Sequence, residues 1–516
     1  MNSGVAGAGV TQYPTGLKRF LITAPIMMGV TLVALDMTIA NVALPHMQAS
    51  LSASQEQIFW VLTSYLIASA IATPLSGWLA NRFGRKNVML ASVTGFTVAS
   101  VLCGVANDLQ TIVFARIMQG AFGAGLMPLT QAILLDINAP ENRLKAMAVF
   151  SMGSLLGPMI GPSLGGYLTD IVSWRWVFFI NIPFGILAAA GILTWDRERD
   201  DAPKLRFDWF GFATVAIALA TIQLMLDRGE QVDWFDSVEI QIYAAIAGLS
   251  VYLAVVHTAT GVDTFIKPQL FKDRNFATGC TVSAVVGIAT FAMIPVLVVM
   301  QQTLLGHSAY HTGLLGIPRG LGSLAGMIMV SRLAKHVDLR LLMLVGLGVI
   351  GVSQAMYAGL DLYTDDKLLI VTGFINGISS GLVFVPLAAI SFTTLSPVFR
   401  NEGSAMFALV RNVGNAVGIS VLHRQMVHYT AESQAHLVQG IRPDNPMLDY
   451  ARPDFDFGSI EALSRMEAEI SRQAGMVGTV EVFWLSVVIS LAVAPVVLLM
   501  RVKKNGQDDG HVPVVE

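Results

Sequence analysis

The sequence predicts an all-α polytopic membrane protein, and three observations lead to this fold class. Of its 516 residues, 54% are hydrophobic and 13% are charged, whereas a soluble domain carries about 25% charged residues. Fourteen apolar stretches are each long enough to cross a bilayer as a helix, which takes about 20 residues. Finally, short glycine-rich patterns in the first six stretches recur in the last six.

The predicted spans fall into three groups along the chain. The first six are 20–44, 57–80, 87–105, 110–137, 146–169 and 175–195. Two more follow at 209–226 and 239–258. The last six are 276–301, 311–331, 341–359, 367–392, 403–424 and 478–500.

The lysines and arginines in the connections predict the orientation, because they concentrate in cytoplasmic loops. Counting connections alternately from the N-terminus, 21 of the 32 lysines and arginines fall on the inner side, and three fall in the short outer loops. Both termini are therefore predicted to be cytoplasmic. This alternation requires an even number of spans, which fourteen satisfies.

The connection 425–477 is unusually long for a compact membrane protein. It is predicted to lie outside, and its segment Ser459–Gln473, which alternates Glu and Arg, is predicted to form a short solvated helix. Contact with another protein and simple solvation both account for such a loop.

Internal repeats predict the domain organisation. Gly120 recurs as Gly377 at an offset of 257 residues, and Gly157 recurs as Gly414 at the same offset. Each repeated glycine lies eight spans after its first occurrence. The chain is therefore predicted to consist of two six-helix halves separated by two extra helices, a 6+2+6 arrangement. The predicted units are an N-terminal half 1–200, two linker helices 201–265, and a C-terminal half 266–516 with a periplasmic loop 425–477.

Several kinds of site are not predicted. The two cysteines, Cys103 and Cys280, lie in separate spans, so neither a disulfide framework nor a cysteine metal site is expected. No phosphate-binding Walker sequence and no metalloprotease or nucleophile-elbow motif occurs. His46, His307 and His311 are predicted to be interfacial. The sequence thus predicts neither an enzyme nor a metal or cofactor site.

Asp36 and Arg116 are the chemically unusual residues of the first half. A carboxylate within a span costs a few kcal/mol unless a partner or water reaches it, so it marks a functional site by default. Arg116 is the obvious partner in the fourth span. A rearrangement that separates the two would let Asp36 take up a proton from outside. A static ion pair that fixes helix packing is the alternative.

Several motifs resemble those of the major facilitator superfamily, and specifically of its fourteen-helix drug:proton antiporter family. They are Leu35–Pro45, Gly77–Lys86, Arg116–Gly120, Gly153–Gly166, Leu224–Phe235 and Arg411. Leu224–Phe235 is the segment closest to the EmrB-like group, the inner-membrane pumps of tripartite multidrug exporters.

The resemblance implies two halves related by an axis normal to the membrane, with a substrate site at mid-depth. It also implies a bacterial inner-membrane location and a proton gradient as the energy source. Two partners are implied as well, an EmrA-like periplasmic adaptor and a TolC-like outer-membrane channel. Arg116 matches a family arginine that is linked to proton coupling, and Asp36 is expected to carry the proton.

The resemblance also implies two groups of residues for the conformational switch. The cytoplasmic loop motif supplies Gly77, Asn81, Arg82, Gly84 and Arg85, and the fifth-span motif supplies Gly153, Gly157, Pro158, Gly161, Pro162, Gly165 and Gly166. The loop departs from the family at Asn81, where an acid is usual. An asparagine cannot form the charged bridge of that acid, so a weaker bias of the switch is expected.

The substrate cavity is expected to involve six residues: Asp36, Asn41, Arg116, Gln119, Arg319 and Arg411. The last two arginines have no carboxylate within their own spans, so three intramembrane arginines stand against one deep acid. A pump for dications would need extra acids instead. The predicted function is therefore proton-coupled multidrug efflux of lipophilic, weakly acidic or neutral compounds. A dedicated single-metabolite exporter and a non-transporting receptor with the same fold are the alternatives.

Overall fold

A computed structural model describes residues 13–58, 60–195, 207–261, 264–290, 292–442 and 456–501. Within these ranges the chain forms helices and turns and no strand. In these described ranges, fourteen helical segments are long and apolar enough to cross a membrane, the number that the sequence predicts. In chain order, α1 to α14 are Gly16–Ser50, Trp60–Phe83, Arg85–Val105, Leu109–Ile137, Arg143–Ile171, Trp176–Leu193, Trp209–Arg228, Val238–Thr260, Arg274–Leu304, Ala309–Leu333, Leu339–Ala358, Asp366–Ser391, Arg400–Gln439 and Ile460–Leu498.

Four of these segments, α4, α6, α9 and α14, are interrupted. The two parts of α6 are Trp176–Phe179 and Asn181–Leu193, and the described α-helical parts of α9 are Arg274–Thr290 and Met293–Val299. The two parts of α4 are Leu109–Gly123 and Leu126–Ile137. The segment α9 ends in a π-helical turn, Met300–Leu304, and α14 is interrupted at Val493. Most predicted boundaries lie within a few residues of the observed ones.

The predicted loop 425–477 is the main correction to the secondary structure. Helix α13 continues to Gln439 and α14 already begins at Ile460, so Ser459–Gln473 is not a separate short helix but the start of the last span. Hydropathy falls here, but pairs one turn apart, such as Glu461 with Arg465 at 2.5 Å, favour continued helix. The two extensions also touch, since Gln434 Nε2 donates to Ser471 Oγ at 3.4 Å. Residues 443–455 of the predicted loop lie outside the described ranges.

The chain divides into two compact units. The first contains residues 1–220 and 400–408, and the second contains 221–399 and 409–516. The first residues of α13 thus belong to the first unit. The predicted division at residues 200 and 265 remains a prediction, and the stretch 196–206 beside its first boundary is outside the described ranges.

Helix packing within the two units repeats with the predicted offset of eight spans. In the first unit α4 packs on α2 and α3, and α6 packs on α1 and α3. In the second unit α12 packs on α10 and α11, and α14 packs on α9 and α11. The repeated glycines explain the closest of these contacts: a Cβ on Gly120 would clash with the Tyr65 carbonyl, and one on Gly377 would clash with the Arg319 carbonyl.

The fifth-span glycines bring α5 onto α1, the helix that carries Asp36. A Cβ on Gly157 would clash with the backbone between Ala34 and Leu35, and one on Gly161 would clash with Thr38. The Thr38 hydroxyl donates to the Gly157 carbonyl at 3.2 Å, which fixes the register of the two helices. Helix α5 continues without a break through both of its prolines.

Gly157→Ala is expected to lower the melting temperature of the purified protein by several degrees. The new methyl group meets backbone, which cannot rotate away, so α1 and α5 must separate at a cost of about 1–3 kcal/mol. Thermal unfolding in detergent measures the effect. Gly248→Ala in α8 is the matched control, because nothing lies within 4 Å of a Cβ at Gly248. Equal effects of the two substitutions would contradict this account of the contact.

Candidate functional site

The centre of the candidate site is a buried ion pair between α1 and α4. Asp36 is 0% exposed and Arg116 is 1% exposed. Arg116 Nη1 donates to Asp36 Oδ2 at 2.6 Å, so the contact that the sequence predicts is present. Each ion loses several kcal/mol of hydration when it is buried, and only close pairing with further hydrogen bonds can compensate for this loss.

Two amides and one carbonyl complete the hydrogen bonding of this pair. Gln119 Nε2 donates to Asp36 Oδ1 at 2.8 Å, and Asn181 Nδ2 donates to the same oxygen at 3.1 Å. Arg116 also donates to Gln119 Oε1 at 2.7 Å and, through Nε, to the Val61 carbonyl at 2.9 Å. The Ser100 hydroxyl accepts from both amides. We refer to Asp36, Ser100, Arg116, Gln119 and Asn181 as the ion-pair network.

Aromatic and aliphatic side chains enclose the ion-pair network. The Arg116 guanidinium lies over the Tyr65 ring, 4.2 Å from its centroid, and 5.8 Å from the Phe178 centroid. Phe178 belongs to a cluster of buried apolar side chains that also contains Ile39 and Ile112. The low dielectric strengthens the pair and makes any unpaired state of either ion costly.

Two polar atoms beside the network have no hydrogen-bond partner among the described residues. They are the Tyr65 hydroxyl and Asn181 Oδ1, both buried. An unsatisfied buried group costs about 1–3 kcal/mol. Because Asn181 Nδ2 already contacts the Asp36 carboxylate, rotation of this amide by half a turn would place the unpartnered acceptor Oδ1 against that carboxylate.

The other predicted cavity residues are not members of this network. Asn41 is exposed on α1 and donates to the Met37 carbonyl at 3.4 Å. Arg319 and Arg411 belong to the second unit, on α10 and α13. Arg319 Nη2 reaches the Thr290 carbonyl at 3.4 Å, and no carboxylate lies within ion-pair distance of it in the described part of the chain.

The repeat shows what the second unit places at the equivalent positions. Gly157 packs on Ala34 and its repeat Gly414 packs on Ala284, so Asp36 corresponds to Val286. The offset of 257 places Gly373 at the position of Arg116 and Asn376 at that of Gln119.

The amide–hydroxyl part of the network survives in the second unit, since Asn376 Nδ2 donates to Ser353 Oγ at 2.9 Å. The ion pair itself does not. Instead Arg319, which corresponds to Tyr65 through the packing of Gly377, supplies a cation from the neighbouring helix, with its Cβ close to Gly373.

The cytoplasmic loop motif forms a second charged cluster in the first unit. Arg85 Nη1 lies 2.5 Å from Asp136 Oδ2, and Arg400 Nη1 pairs with the other oxygen of the same carboxylate. Gly84, with a φ of +83°, turns the chain between α2 and α3 in a conformation that favours glycine. Gly77 is equally constrained, because a Cβ there would lie 3.0 Å from the Glu402 Cα.

Asn81 does bridge to the start of α13, although not by charge. Its Nδ2 donates to Glu402 Oε1 at 3.3 Å, and its Oδ1 accepts from Asn401 Nδ2 at 2.5 Å. In place of the charged bridge that an acid would form, Asn81 makes one hydrogen bond to the Glu402 carboxylate and one to the Asn401 amide, and Asp136 supplies charged contacts nearby. The position of Arg82, exposed at the end of α2, agrees with an anchoring role.

Sequence reasoning missed Asn181, Asp136 and the first residues of α13. Asn181, like Asp36, is a strongly polar side chain within an apolar stretch, and this pattern was sufficient to identify it as a candidate. Asp136 stands at the end of the predicted span 110–137, where an acid is ordinarily interfacial. Its two arginine partners come from distant parts of the sequence, and no local pattern reveals them.

Comparisons with known proteins agree with this architecture. The sequence matches the Major Facilitator Superfamily over residues 26–419. It is 30% identical over 480 residues to the multidrug export protein EmrB of Escherichia coli, covering 91% of this chain and 93% of that protein. It is 29% identical to the fatty acid resistance protein FarB of Neisseria gonorrhoeae, covering 97% and 100% of the two chains. The crystal structure of the human organic anion transporter MFSD10 has a similar fold, with a TM-score of 0.61 at 13% identity over 92% of this chain and 100% of that one.

Asn81→Asp is expected to lower stability even though it introduces the acid that the family usually carries. In this chain the new carboxylate would face Glu402 in place of a hydrogen bond, and like charges at this spacing repel by about 1 kcal/mol in a partly solvated site. Thermal unfolding in detergent at low salt measures the loss. Adding Glu402→Gln should restore most of it, whereas the failure of this second change would show that Glu402 is not the cause.

Proposed function

The chain belongs to the Major Facilitator Superfamily, and from this premise we propose that it is a proton-coupled multidrug efflux antiporter of the bacterial inner membrane. Its substrates are lipophilic compounds that are weakly acidic or neutral. The two six-helix halves rock about the substrate site, with both chain termini in the cytoplasm. The observation that carries the proposal is the buried ion pair of Asp36 and Arg116.

Asp36 is the proton carrier in this mechanism. A carboxylate held by a guanidinium in a dry environment has two stable arrangements, paired and charged or separated and protonated. Any helix movement that lengthens the 2.6 Å contact removes the compensation for burial and favours proton uptake. Arg116 is then the group that expels the proton when the pair forms again.

The neighbouring amides support both states of Asp36. In the charged state Gln119 and Asn181 each donate to Oδ1. A protonated Asp36 becomes a donor and needs an acceptor. Rotation of the Asn181 amide would present its unpartnered Oδ1 to that proton, so the protonated state also has its hydrogen bonds.

Arg319 supports a preference for acidic substrates. Where the first unit balances its guanidinium with Asp36, the second unit has Val286, and no carboxylate pairs with Arg319 in the described residues. An anionic or hydrogen-bond-accepting substrate group can fill that role. The name of FarB, a fatty acid resistance protein, is consistent with a lipophilic acid.

The proposed assembly is tripartite. An EmrA-like periplasmic adaptor and a TolC-like outer-membrane channel would carry the exported compound beyond the inner membrane. The helical extensions 425–439 and 460–477 give the adaptor an ordered surface on the outer side. The switch residues of the loop motif and of the fifth helix, from Gly77 to Arg85 and from Gly153 to Gly166, control the alternation between inward and outward access.

Asp36→Asn should abolish proton-driven efflux in proteoliposomes while substrate exchange without net proton movement continues. Asparagine keeps the size and the amide contacts of the site but cannot release a proton. An imposed pH gradient with a fluorescent acidic dye measures net flux, and counterflow of the same dye measures exchange. Proton-driven efflux by this variant would exclude Asp36 as the carrier.

A double variant separates the carrier from the static ion pair. Breaking one partner of a buried pair costs about 3–5 kcal/mol, so Asp36→Asn alone also destabilises the fold. Adding Arg116→Gln removes the stranded cation and should restore the melting temperature. If the pair is only structural, restored stability restores proton-driven flux as well. A stable but uncoupled double variant supports the proposal.

Arg319→Gln should weaken transport of lipophilic acids about tenfold or more and leave dicationic dyes unaffected or improved. The substitution removes the charge that faces the substrate carboxylate and keeps a hydrogen-bond donor. Initial rates with a matched pair, a fatty acid and its methyl ester, isolate the effect of charge. A wild type that prefers quaternary dications to acids would overturn the substrate class and leave proton coupling intact. No flux of any compound through a well-folded protein would instead favour a receptor.

A further inference from the structure

Two histidines and one aspartate of the second unit come together at the starts of α10 and α12. His311 Nε2 lies 2.9 Å from Asp366 Oδ2, and His307 Nε2 lies 3.6 Å from Asp366 Oδ1. The imidazole rings are 4.6 Å apart, and the three candidate ligand atoms lie within 4.8 Å of one another. The three residues belong to two segments that are more than fifty positions apart in the sequence, so the fold assembles them.

Local structure holds each of these side chains in place. Gly306, with a φ of +71°, turns the chain after the π-helical end of α9. The His307 amide then donates to the Gln301 carbonyl at 2.9 Å. His311 lies in the first turn of α10, where its amide donates to the capping Ser308 hydroxyl at 3.1 Å. Asp366 begins α12, so two of the three groups lie in the first turn of a helix, and His307 lies in the short connection that precedes α10.

Close packing of α10 on α12 limits how far the three groups can move apart. A Cβ on Gly322 would clash with the Phe374 carbonyl, and a Cβ on Gly326 would clash with that of Ile378. The two backbones are therefore in direct contact about three turns from the cluster. A site shared by their ends is preorganised by this contact.

Hydrogen bonding alone does not account for the position of His307. Its Nδ1 is buried without a partner among the described residues. Its Nε2 points at Asp366 from 3.6 Å, beyond hydrogen-bond distance. Both rings nevertheless turn their Nε2 atoms to the two oxygens of the same carboxylate, so the three groups face one another.

We propose that His307, His311 and Asp366 bind a divalent transition-metal ion such as Zn²⁺. Two imidazoles and a carboxylate are typical zinc ligands, with bonds of about 2.0–2.2 Å, which place ligand atoms about 3.3 Å apart around a tetrahedral ion. The observed 2.9 and 3.6 Å separations lie on either side of that value. Mg²⁺ and Ca²⁺ prefer all-oxygen sites and fit poorly.

The remaining coordination positions belong to water or to an added ligand. The His311 and Asp366 side chains are 41% and 40% exposed, so an ion can enter from solvent. The bound ion would join the end of α9, the start of α10 and the start of α12, and so stabilise this end of the second unit.

Metal binding to the full-length protein in detergent tests the proposal. The protein carries a purification tag without histidines, is stripped with a chelator and is titrated with Co²⁺ and Zn²⁺ near neutral pH. Co²⁺ is expected to show visible bands of nitrogen and oxygen coordination that Zn²⁺ displaces. Zn²⁺ is expected to raise the melting temperature by several degrees, because it binds only the folded state, whereas Mg²⁺ is expected to have no effect.

Variants locate the site and keep the test decisive. His311→Gln retains a donor to Asp366 but removes a ligand, and should weaken Zn²⁺ binding at least about tenfold. His307→Ala and Asp366→Asn should do the same, while the exposed His428→Ala on α13 is the control and should bind like the wild type. Equal binding by wild type and His311→Gln, or no saturable binding by the wild type, would overturn the proposal.

Discussion

The ion pair of Asp36 and Arg116 is the interaction on which the first unit depends. Each ion alone would be intolerable at its depth, so each fixes the other and the helix that carries it. The surroundings enforce the contact: glycines bring α5 onto α1 on one side, and Gly120 brings α4 onto α2 on another. The same burial that makes the pair stable makes its separation a discrete event, which is what an alternating mechanism requires.

The two repeated units share one scheme of helix packing but differ in their charged residues. Both units use small residues at the same helix contacts, and both keep an amide–hydroxyl pair, Gln119 with Ser100 and Asn376 with Ser353. The charged members differ, because Val286 stands for Asp36 and Gly373 for Arg116. Packing can thus be shared by the two units while the buried ion pair is present in only the first of them, among the described residues. The other half keeps a cation, Arg319, without the acid.

The sequence was sufficient for the number of spans, the repeat and the central ion pair. Hydropathy reveals spans because backbone in hydrocarbon must be helical, and an acid and a base in apolar stretches have few alternatives to each other. The sequence was insufficient where helix formation or side-chain pairing does not depend on hydropathy. The polar extension of α13 to Gln439 is stabilised by neighbouring helix, and Asp136 gains its partners only through folding. The sequence also does not predict that His307, His311 and Asp366 come together, since they lie on different elements.

The asparagine at position 81 illustrates how one departure is absorbed by its surroundings. An acid there would face Glu402 and would compete with Asp136 for the arginines of the loop. Instead Asp136 accepts both Arg85 and Arg400, while the uncharged Asn81 donates to Glu402 and accepts from Asn401. The Asp136 cluster therefore carries the charge-dependent part of this contact, with two cations on one carboxylate and a partly exposed position. Salt should weaken these ion pairs by screening and should affect the bonds of Asn81 less, because Asn81 carries no net charge. The relative strengths of the Asp136 ion pairs and the Asn81 hydrogen bonds decide how firmly the loop Gly77–Lys86 keeps its conformation.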